Sequence, residues 1–279
     1  MMSKKKTKEK TTQVVKGPRG GGNRLSVGRE LADSESVTEL INRLYATGRA
    51  KDSSGREIAL ESVISREEGE FLYGLVKADD SVRQTLEIGC AYGLSTLHIG
   101  EALRGRAGAR HVMLDPFQRQ DWHGIGLAHV REAGLDFCEL IEEGSEFALP
   151  RMAQAAPGSL DFVFIDGWHT FDHTLVDAFY ALRLLRVGGY LVVDDCDMPS
   201  VAKVASYLSK YPCLEIQARS MPPEPLSVRN VGKRVLGLPW LQPLLPAALA
   251  ARGRVRRASM IAFRKIGEDE RAWDWYAPF

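Results

Sequence analysis

Two short segments of the sequence, 161–169 and 190–197, each contain a run of β-branched and aromatic residues that leads into acidic residues. The residues of interest are four acids and one histidine: Asp166, His169, Asp194, Asp195 and Asp197. Carboxylates that crowd into a partly buried cleft repel one another and raise their pKa values unless a cation or hydrogen-bond donors compensate them. Oxygen ligands without a cysteine pair favour Mg²⁺ over structural zinc, so the cluster predicts a divalent-metal site.

His169 is the imidazole of this cluster, and an imidazole is the side chain that most often acts as a base near neutral pH. A hydroxyl on Mg²⁺ loses its proton more easily, and His169, three residues after Asp166, is predicted to receive that proton as a base. Asp166 and His169 are therefore the predicted catalytic residues. Asp197 is either a further ligand or a helix cap, and we favour the cap. Asp172 and Asp177 are interpreted as a helix cap and a helix-surface acid. The remaining histidines are interpreted as structural: His98, His111, His123, His129 and His173.

The two acidic segments are expected at the ends of neighbouring strands. The centre of the chain alternates β-branched runs with amphipathic stretches, which is typical of a parallel sheet covered on both faces. Apolar residues recur at helical spacing from Leu175 to Leu185, and Gly188 with Gly189 is predicted to end that helix. Strands are predicted near 84–88, 110–115, 137–141, 160–166, 189–195, 214–218 and 258–263, with a helix near 198–210.

A glycine turn follows the first predicted strand, with the spacing G-x-x-x-G from Gly89 to Gly93. Glycine permits a sharp turn and the close approach of a ligand. A dinucleotide site would more often show G-x-G-x-x-G, so this turn favours a ligand without a diphosphate. Asp115 ends the second strand, where its carboxylate is placed to accept hydrogen bonds from a ribose diol. The polar turn that ends at Ser145 is predicted to border an adenine.

These motifs resemble those of class I S-adenosylmethionine-dependent methyltransferases, in the branch of the catechol O-methyltransferase-like and macrolide-sugar O-methyltransferases. The resemblance covers about residues 65–212 and part of the closing strand. It implies a Rossmann-like α/β fold, with a seven-stranded, mostly parallel sheet and helices on both faces. With the residues named above, the predicted donor site comprises Glu87, Gly89, Gly93, Ser95, Asp115, Ser145 and Asp166.

The resemblance also implies a metal site. The segment 165–169 is similar to the metal-aspartate and base-histidine pair of the macrolide-sugar group, and 193–195 is similar to its acidic pair. Asp166, Asp194 and Asp195 are thus the implied Mg²⁺ ligands. Catechol-type enzymes have Asp-Asn where this chain has Asp195 and Cys196, which sets it apart from the catechol-type metal shell. The predicted reaction is metal-assisted O-methylation of a small-molecule hydroxyl, with S-adenosylmethionine as donor.

Composition narrows the protein class. The 279 residues are 44% hydrophobic and 26% charged, which suits one substantial globular core. A net charge of +1 gives no field to attract a polyanion, so nucleic-acid binding is not favoured. Four cysteines without a C-x-x-C pair argue against zinc or disulfides, and a reducing cytoplasm is the expected location. No run approaches the roughly 18 apolar residues of a membrane span.

Three regions are expected: a disordered basic tail at 1–25, lead-in helices at 26–78, and a methyltransferase core at 79–279 with an insertion at about 221–255. One lead-in helix is predicted from Val37 and a second, capped at Ser65. The proline-rich insertion is interpreted as a lid or dimer-contact subdomain, with a membrane-surface segment as the alternative. The expected partners are a small-molecule acceptor and a second copy of the chain, bound through the lead-in helices or the insertion.

Three other functions remain open at this point. One is a metal-independent methyltransferase, in which the acids only order water and substrate. Another is an RNA methyltransferase that uses the basic tail and the arginines within 252–257, for which RNA binding would depend steeply on salt. The third is a non-catalytic protein that binds adenosylmethionine, against which the acid cluster and His169 argue.

Overall fold

The computed structural model describes residues 36–52, 54–61, 63–221 and 258–278 of the chain. The predicted basic tail, the arginines at 252–257 and nearly all of the predicted insertion lie outside these residues. The described helices are α1 (Val37–Thr47), α2 (Arg66–Ala78), α3 (Leu94–Leu103), α4 (Ile125–Glu132), α5 (Ser145–Ala155), α6 (Phe171–Leu184) and α7 (Pro199–Leu208). The described strands are β1 (Arg49–Lys51), β2 (Glu57–Ala59), β3 (Gln84–Ile88), β4 (Arg110–Leu114), β5 (Cys138–Ile141), β6 (Leu160–Ile165), β7 (Leu185–Val193), β8 (Leu214–Ser220) and β9 (Met260–Lys265).

Seven of the described strands form one sheet in the order β5-β4-β3-β6-β7-β9-β8. Strand β9 runs antiparallel to both β7 and β8, and the other pairs are parallel. The predicted Rossmann-like fold with a seven-stranded, mostly parallel sheet is confirmed. Strands β4 and β5 are added on one side of β3, and β6 and β7 on the other side, so the strand order reverses between β3 and β6. Ligands of open α/β sheets bind at the carboxyl ends of the strands beside such a point.

Two hydrophobic clusters cover the two faces of the sheet. Alternate residues of β6 point to opposite sides, as the pleat of a strand requires. Phe162 and Phe164 pack with residues of α1, α2, α3 and α4, whereas Val163 and Ile165 pack with residues of α5, α6 and α7. The predicted helical cover on both faces is therefore confirmed, and the lead-in helices α1 and α2 share a core with the sheet.

The glycines Gly188 and Gly189 do not end helix α6, as the sequence pattern predicted. The helix ends at Leu184, and both glycines lie within β7. The pairing of β6 with β7 is irregular there, because Leu160 is paired with Leu185 but Phe162 is paired with Tyr190. Gly188 takes a φ of 85° at this bulge, which a residue with a Cβ would rarely adopt.

Three predicted roles of acidic residues in helices are wrong. Thr170, not Asp172, occupies the N-cap position of α6. The N-cap residue of α7 is Met198, and the helix begins at Pro199. Asp197 precedes the N-cap residue and is exposed. Asp177 is not on the helix surface: it is 1% exposed, because its face of α6 is covered.

Helix α2 begins with the predicted capping box. The Ser65 hydroxyl accepts a hydrogen bond from the Glu68 backbone N–H, and the Glu68 carboxylate accepts one from the Ser65 backbone N–H. We expect Ser65→Ala to lower the free energy of unfolding by about 1 kcal/mol, because a helix N–H loses its acceptor. Urea denaturation measures this, with Ser65→Thr as the control that keeps a capping hydroxyl. Equal stability of Ser65→Ala and wild type would contradict the prediction.

No helix among the described residues has both the length and the apolar character needed to cross a membrane.

Candidate active site

A cavity of about 710 Å³ opens at the carboxyl ends of β3, β4, β5 and β6. It lies where the strand order reverses, and its volume is in the range of small-molecule sites. Five of the seven residues predicted for the donor site line it: Gly89, Ser95, Asp115, Ser145 and Asp166. Glu87 and Gly93 are not in its wall.

The glycine turn allows two strands to approach each other closely. Gly89 has a φ of 82°, and a Cβ at this position would lie 2.1 Å from the backbone oxygen of Asp166. Gly93 has a φ of 80° at the start of α3, where a Cβ would lie 3.0 Å from the Cα of Gly126. The turn therefore requires glycine for its own conformation as well as for the approach of a ligand.

Asp115 and Gln118 hold this turn in place. Oδ2 of Asp115 accepts hydrogen bonds from the backbone N–H groups of Cys90, at 3.2 Å, and Ala91, at 2.9 Å. The Gln118 amide donates to the Ala91 carbonyl at 2.8 Å and accepts from the Gly126 N–H at 3.0 Å. These contacts fix Ala91 at a φ of 41°. Asp115 thus shapes the turn in addition to facing the cavity. This role of Gln118 was not predicted from the sequence, because Gln118 is not part of a spaced motif like that of the glycine turn.

Glu87 lies behind the turn in the protein interior. It is fully buried, and its Oε2 accepts a hydrogen bond from the Thr96 hydroxyl of α3 and lies 3.2 Å from His111 Nε2. Its Oε1 has no hydrogen-bond partner among the described residues. Glu87 therefore connects β3 to α3 and β4 and does not reach the cavity.

Three side chains of the predicted acid cluster meet beside the cavity. Nε2 of His169 lies 3.1 Å from Asp195 Oδ2 and 3.4 Å from Asp166 Oδ1. Within the described part of the chain, these three residues offer ligand atoms that all lie within 4.8 Å of one another. We call Asp166, His169 and Asp195 the acid–histidine triad.

Asp194, an implied metal ligand, is not in this triad. Its Oδ1 accepts a hydrogen bond from the backbone N–H of Asp195 at 2.7 Å, and its side chain is 6% exposed. Asp195 takes a φ of 49°, which is uncommon for a residue other than glycine. The structure thus assigns the two neighbouring aspartates different positions: Asp195 points to His169, and Asp194 supports the turn below it.

The electrostatics of the triad fit a divalent cation. Burial, followed by the negative charge of Asp195, raises the pKa of Asp166 well above its usual range. Burial also raises the pKa of Asp195, and the neighbouring His169 opposes this effect. Glu68 of α2 adds negative charge near both carboxyls. Two carboxylate oxygens in a crowded acidic site are ligands that suit Mg²⁺ or Mn²⁺, and a cation would relieve the repulsion.

Aromatic residues that were not predicted form much of the cavity wall. Tyr92 and Trp122 meet edge to face, with ring centroids 5.1 Å apart. Trp168 stacks on His173 at 5.9 Å, and Phe117 contacts its edge at 6.3 Å. His173, which was interpreted as structural, therefore belongs to the wall. The available signal was the position of these aromatics in the segments that follow β3, β4 and β6.

Comparisons with known proteins agree with this geometry. A family described as a methyltransferase domain matches residues 86–196, which include the glycine turn, Asp115 and the triad. Curated protein sequences give no significant match. Cofactor-bound Rv0187 from MTB is a similar solved structure, with a TM-score of 0.55 and 18% identity over 85% of this chain and 93% of that chain.

Two further solved structures are O-methyltransferases by their names. The enzyme from Bacillus cereus, in complex with SAH, has a TM-score of 0.53 and 18% identity over 85% of this chain and 94% of that chain. TomG from Streptomyces achromogenes, in complex with SAM, has a TM-score of 0.52 and 17% identity over 74% of this chain and 82% of that chain. At such identities the likeness shows the fold.

The matched family identifies residues 86–196 as a methyltransferase domain, and the solved structures share its Rossmann-like fold, which is the fold of class I methyltransferases. The resemblance predicted from its motifs is thereby confirmed. The methyl donor of this class is S-adenosylmethionine.

Proposed function

We propose that this methyltransferase transfers the methyl group of S-adenosylmethionine to a hydroxyl of a small molecule, with assistance from a divalent metal. The observation that carries the proposal is the acid–histidine triad, of which Asp166 and His169 line the same cavity as the glycine turn. A donor that binds along the turn would have its reactive end close to the triad, because the turn and Asp166 touch through their backbones.

In the proposed donor site, Gly89 and Ser95 border the methionine side of the donor, Asp115 the ribose and Ser145 the adenine. The support is that Gly89, Ser95, Asp115 and Ser145 line one cavity at adjacent strand ends. Trp168 offers an exposed aromatic face on the same wall, suited to contact with a planar base.

Asp166 and Asp195 would hold the metal, and Asp194 would support them from below. A divalent cation there would supply positive charge that lowers the pKa of the acceptor hydroxyl. We assign His169 the role of base, because Mg²⁺ prefers oxygen ligands and an imidazole beside two carboxylates is well placed to take up a proton.

The reaction is a nucleophilic substitution at the methyl carbon. His169 receives the proton of the acceptor hydroxyl, the acceptor oxygen forms a bond to the methyl carbon, and the bond from that carbon to the sulfonium sulfur breaks. S-adenosylhomocysteine leaves with the electron pair on sulfur. Because the donor is already activated, the protein accelerates the reaction chiefly by aligning the two reactants and stabilising the oxyanion.

The acceptor is proposed to have an apolar body beside its hydroxyl. The cavity wall contains Val63 and Ile64 before α2, together with the Tyr92–Trp122 pair. Burial of apolar surface against such a wall favours a phenol, a deoxygenated sugar or a related natural product over a fully polar acceptor.

The test is release of S-adenosylhomocysteine from S-adenosylmethionine with pooled phenols, sugars and small natural products, in the presence of Mg²⁺ or of excess chelator. We expect turnover of at least one hydroxyl acceptor with Mg²⁺ and a loss of about 100-fold or more with chelator, since the oxyanion then lacks its cation. Full activity in chelator would support the metal-independent alternative. Methylation of amines alone would contradict the assignment to hydroxyls.

A further inference from the structure

The carboxyl of Asp115 lies between the glycine turn and the cavity, and backbone N–H groups already engage both of its oxygens. Oδ2 accepts hydrogen bonds from the N–H groups of Cys90, at 3.2 Å, and Ala91, at 2.9 Å. The Cys90 thiol also donates to Oδ2, at 3.6 Å. Oδ1 accepts a hydrogen bond from the Phe117 N–H at 2.9 Å. Although Asp115 lines the cavity, it is 3% exposed.

The sequence around Asp115 explains how its two oxygens are held. An aspartate readily accepts a hydrogen bond from the backbone N–H two residues further on. Pro116, which lies between Asp115 and Phe117, has a fixed φ and no N–H of its own to compete for the carboxyl. Oδ1 is therefore held on the side of Phe117, and Oδ2 is held by two consecutive N–H groups of the glycine turn. The carboxyl thus keeps one orientation.

These hydrogen bonds limit what Asp115 can offer to a ligand. An ionised carboxyl has about four acceptor positions, two on each oxygen. Within the part of the chain that the structure describes, backbone N–H groups fill both positions on Oδ2 and one position on Oδ1. A single position on Oδ1 is left for the cavity. A carboxyl that binds a diol needs a free position on each oxygen, and Oδ2 has none.

We propose that Asp115 is a specificity-determining residue that accepts a hydrogen bond from one of the two ribose hydroxyls of the donor, through Oδ1, while Oδ2 holds the glycine turn. The inference rests on the proposed function, in which the ribose of S-adenosylmethionine lies beside Asp115. It differs from the expectation drawn from the sequence, in which the carboxylate accepts hydrogen bonds from the diol. The donor site therefore requires one ribose hydroxyl and tolerates the loss of the other.

The experiment measures, by calorimetry, the affinity of the full-length protein for S-adenosylhomocysteine and for its 2′-deoxy and 3′-deoxy forms. We expect wild type to bind one deoxy form about tenfold or more weakly than the parent compound, because a hydrogen bond to a charged acceptor is lost. The other deoxy form should bind within about threefold of the parent compound, because its missing hydroxyl has no partner on Asp115.

Two variants assign the effect to a residue. Asp115→Asn keeps one oxygen for the turn and places an amide nitrogen on the ribose side, so the two deoxy forms should differ by about twofold or less. Any effect of a missing hydroxyl on the sugar conformation is the same in both proteins and cancels in this comparison. Asp121→Asn, which alters an exposed acid of the same wall, should keep the wild-type difference. Thermal melting shows whether each variant is folded.

Three results would overturn the inference. Equal losses of about tenfold or more for both deoxy forms would show that the site binds the complete diol. Equal affinities for all the compounds would limit Asp115 to its role in the turn. A difference that persists in a folded Asp115→Asn, or disappears in a folded Asp121→Asn, would assign the recognition to another residue. Failure of the proposed function gives a distinct result: wild type would then bind none of the compounds, and the inference would fall with it.

Discussion

Asp195→Asn should reduce kcat by about three orders of magnitude while its affinity for S-adenosylhomocysteine stays within a few-fold of wild type. Asp195 lies 3.1 Å from His169 and is not in the cavity wall, so the change removes charge from the triad and leaves the donor site intact. Steady-state kinetics and calorimetry with S-adenosylhomocysteine measure the two effects separately. The matched control is Asp197→Asn, an exposed acid two residues further on, which should retain activity.

His169→Asn separates the base from the metal ligands. If His169 is the base, this variant should lose about 100-fold to 10,000-fold in kcat and still bind Mg²⁺ as wild type does. Asp195→Asn should lose both activity and Mg²⁺ affinity, as measured by a Mg²⁺ titration. Loss of Mg²⁺ binding in His169→Asn would instead make the histidine a ligand, and full activity of Asp195→Asn would remove the triad from the reaction.

Gly89→Val is expected to abolish measurable binding of S-adenosylhomocysteine. The substitution meets two obstacles at once: a φ of 82°, and a backbone oxygen of Asp166 that lies 2.1 Å from the new Cβ and cannot move as a flexible side chain would. The turn must therefore shift, and the backbone that the proposed donor approaches shifts with it.

The control for this prediction is Gly105→Val. Gly105 has a similar φ of 80°, but its Cβ would meet nothing within 4 Å, so the variant carries the backbone strain without the collision. It should bind S-adenosylhomocysteine as wild type does. Gly89→Ala serves as a milder variant, and circular dichroism confirms that each protein is folded. Unchanged affinity of a folded Gly89→Val would show that the turn is not part of the donor site.

The sequence was sufficient to predict the sheet because its central strands, β3, β4, β6 and β7, are mostly buried on both faces and therefore form short apolar runs. The sequence-based prediction was wrong where one local sequence pattern is compatible with two structures. Gly188 and Gly189 fit a helix end as well as a bulge, and only the pairing of β6 with β7 decides between them. Asp177 fits the polar side of an amphipathic helix, and its burial depends on the packing of α5 against α6.

The same limit applies to the candidate site. The segments around Asp166 and Asp195 could be predicted to meet because they follow neighbouring parallel strands. The left-handed backbone of Asp195 determines that Asp195, and not Asp194, points to His169. Apart from glycine, no residue type predicts such a backbone conformation. The aromatic residues of the cavity wall follow predicted strand ends in the sequence. That pattern has many structural causes, so it did not predict that these residues line the cavity.

In the proposed reaction, the contact between Gly89 and Asp166 would make the alignment of the two reactants a property of the sheet itself. The Asp166 N–H donates to the Ile88 carbonyl at 2.9 Å, and Ile88 is paired in register with Ile165. The proposed donor turn and Asp166 thus follow directly from one paired position of the β3–β6 ladder, with no flexible segment between them. Under this proposal, substitutions at Val63 or Ile64 of the cavity wall should change which acceptor is bound without changing the distance over which the methyl group moves.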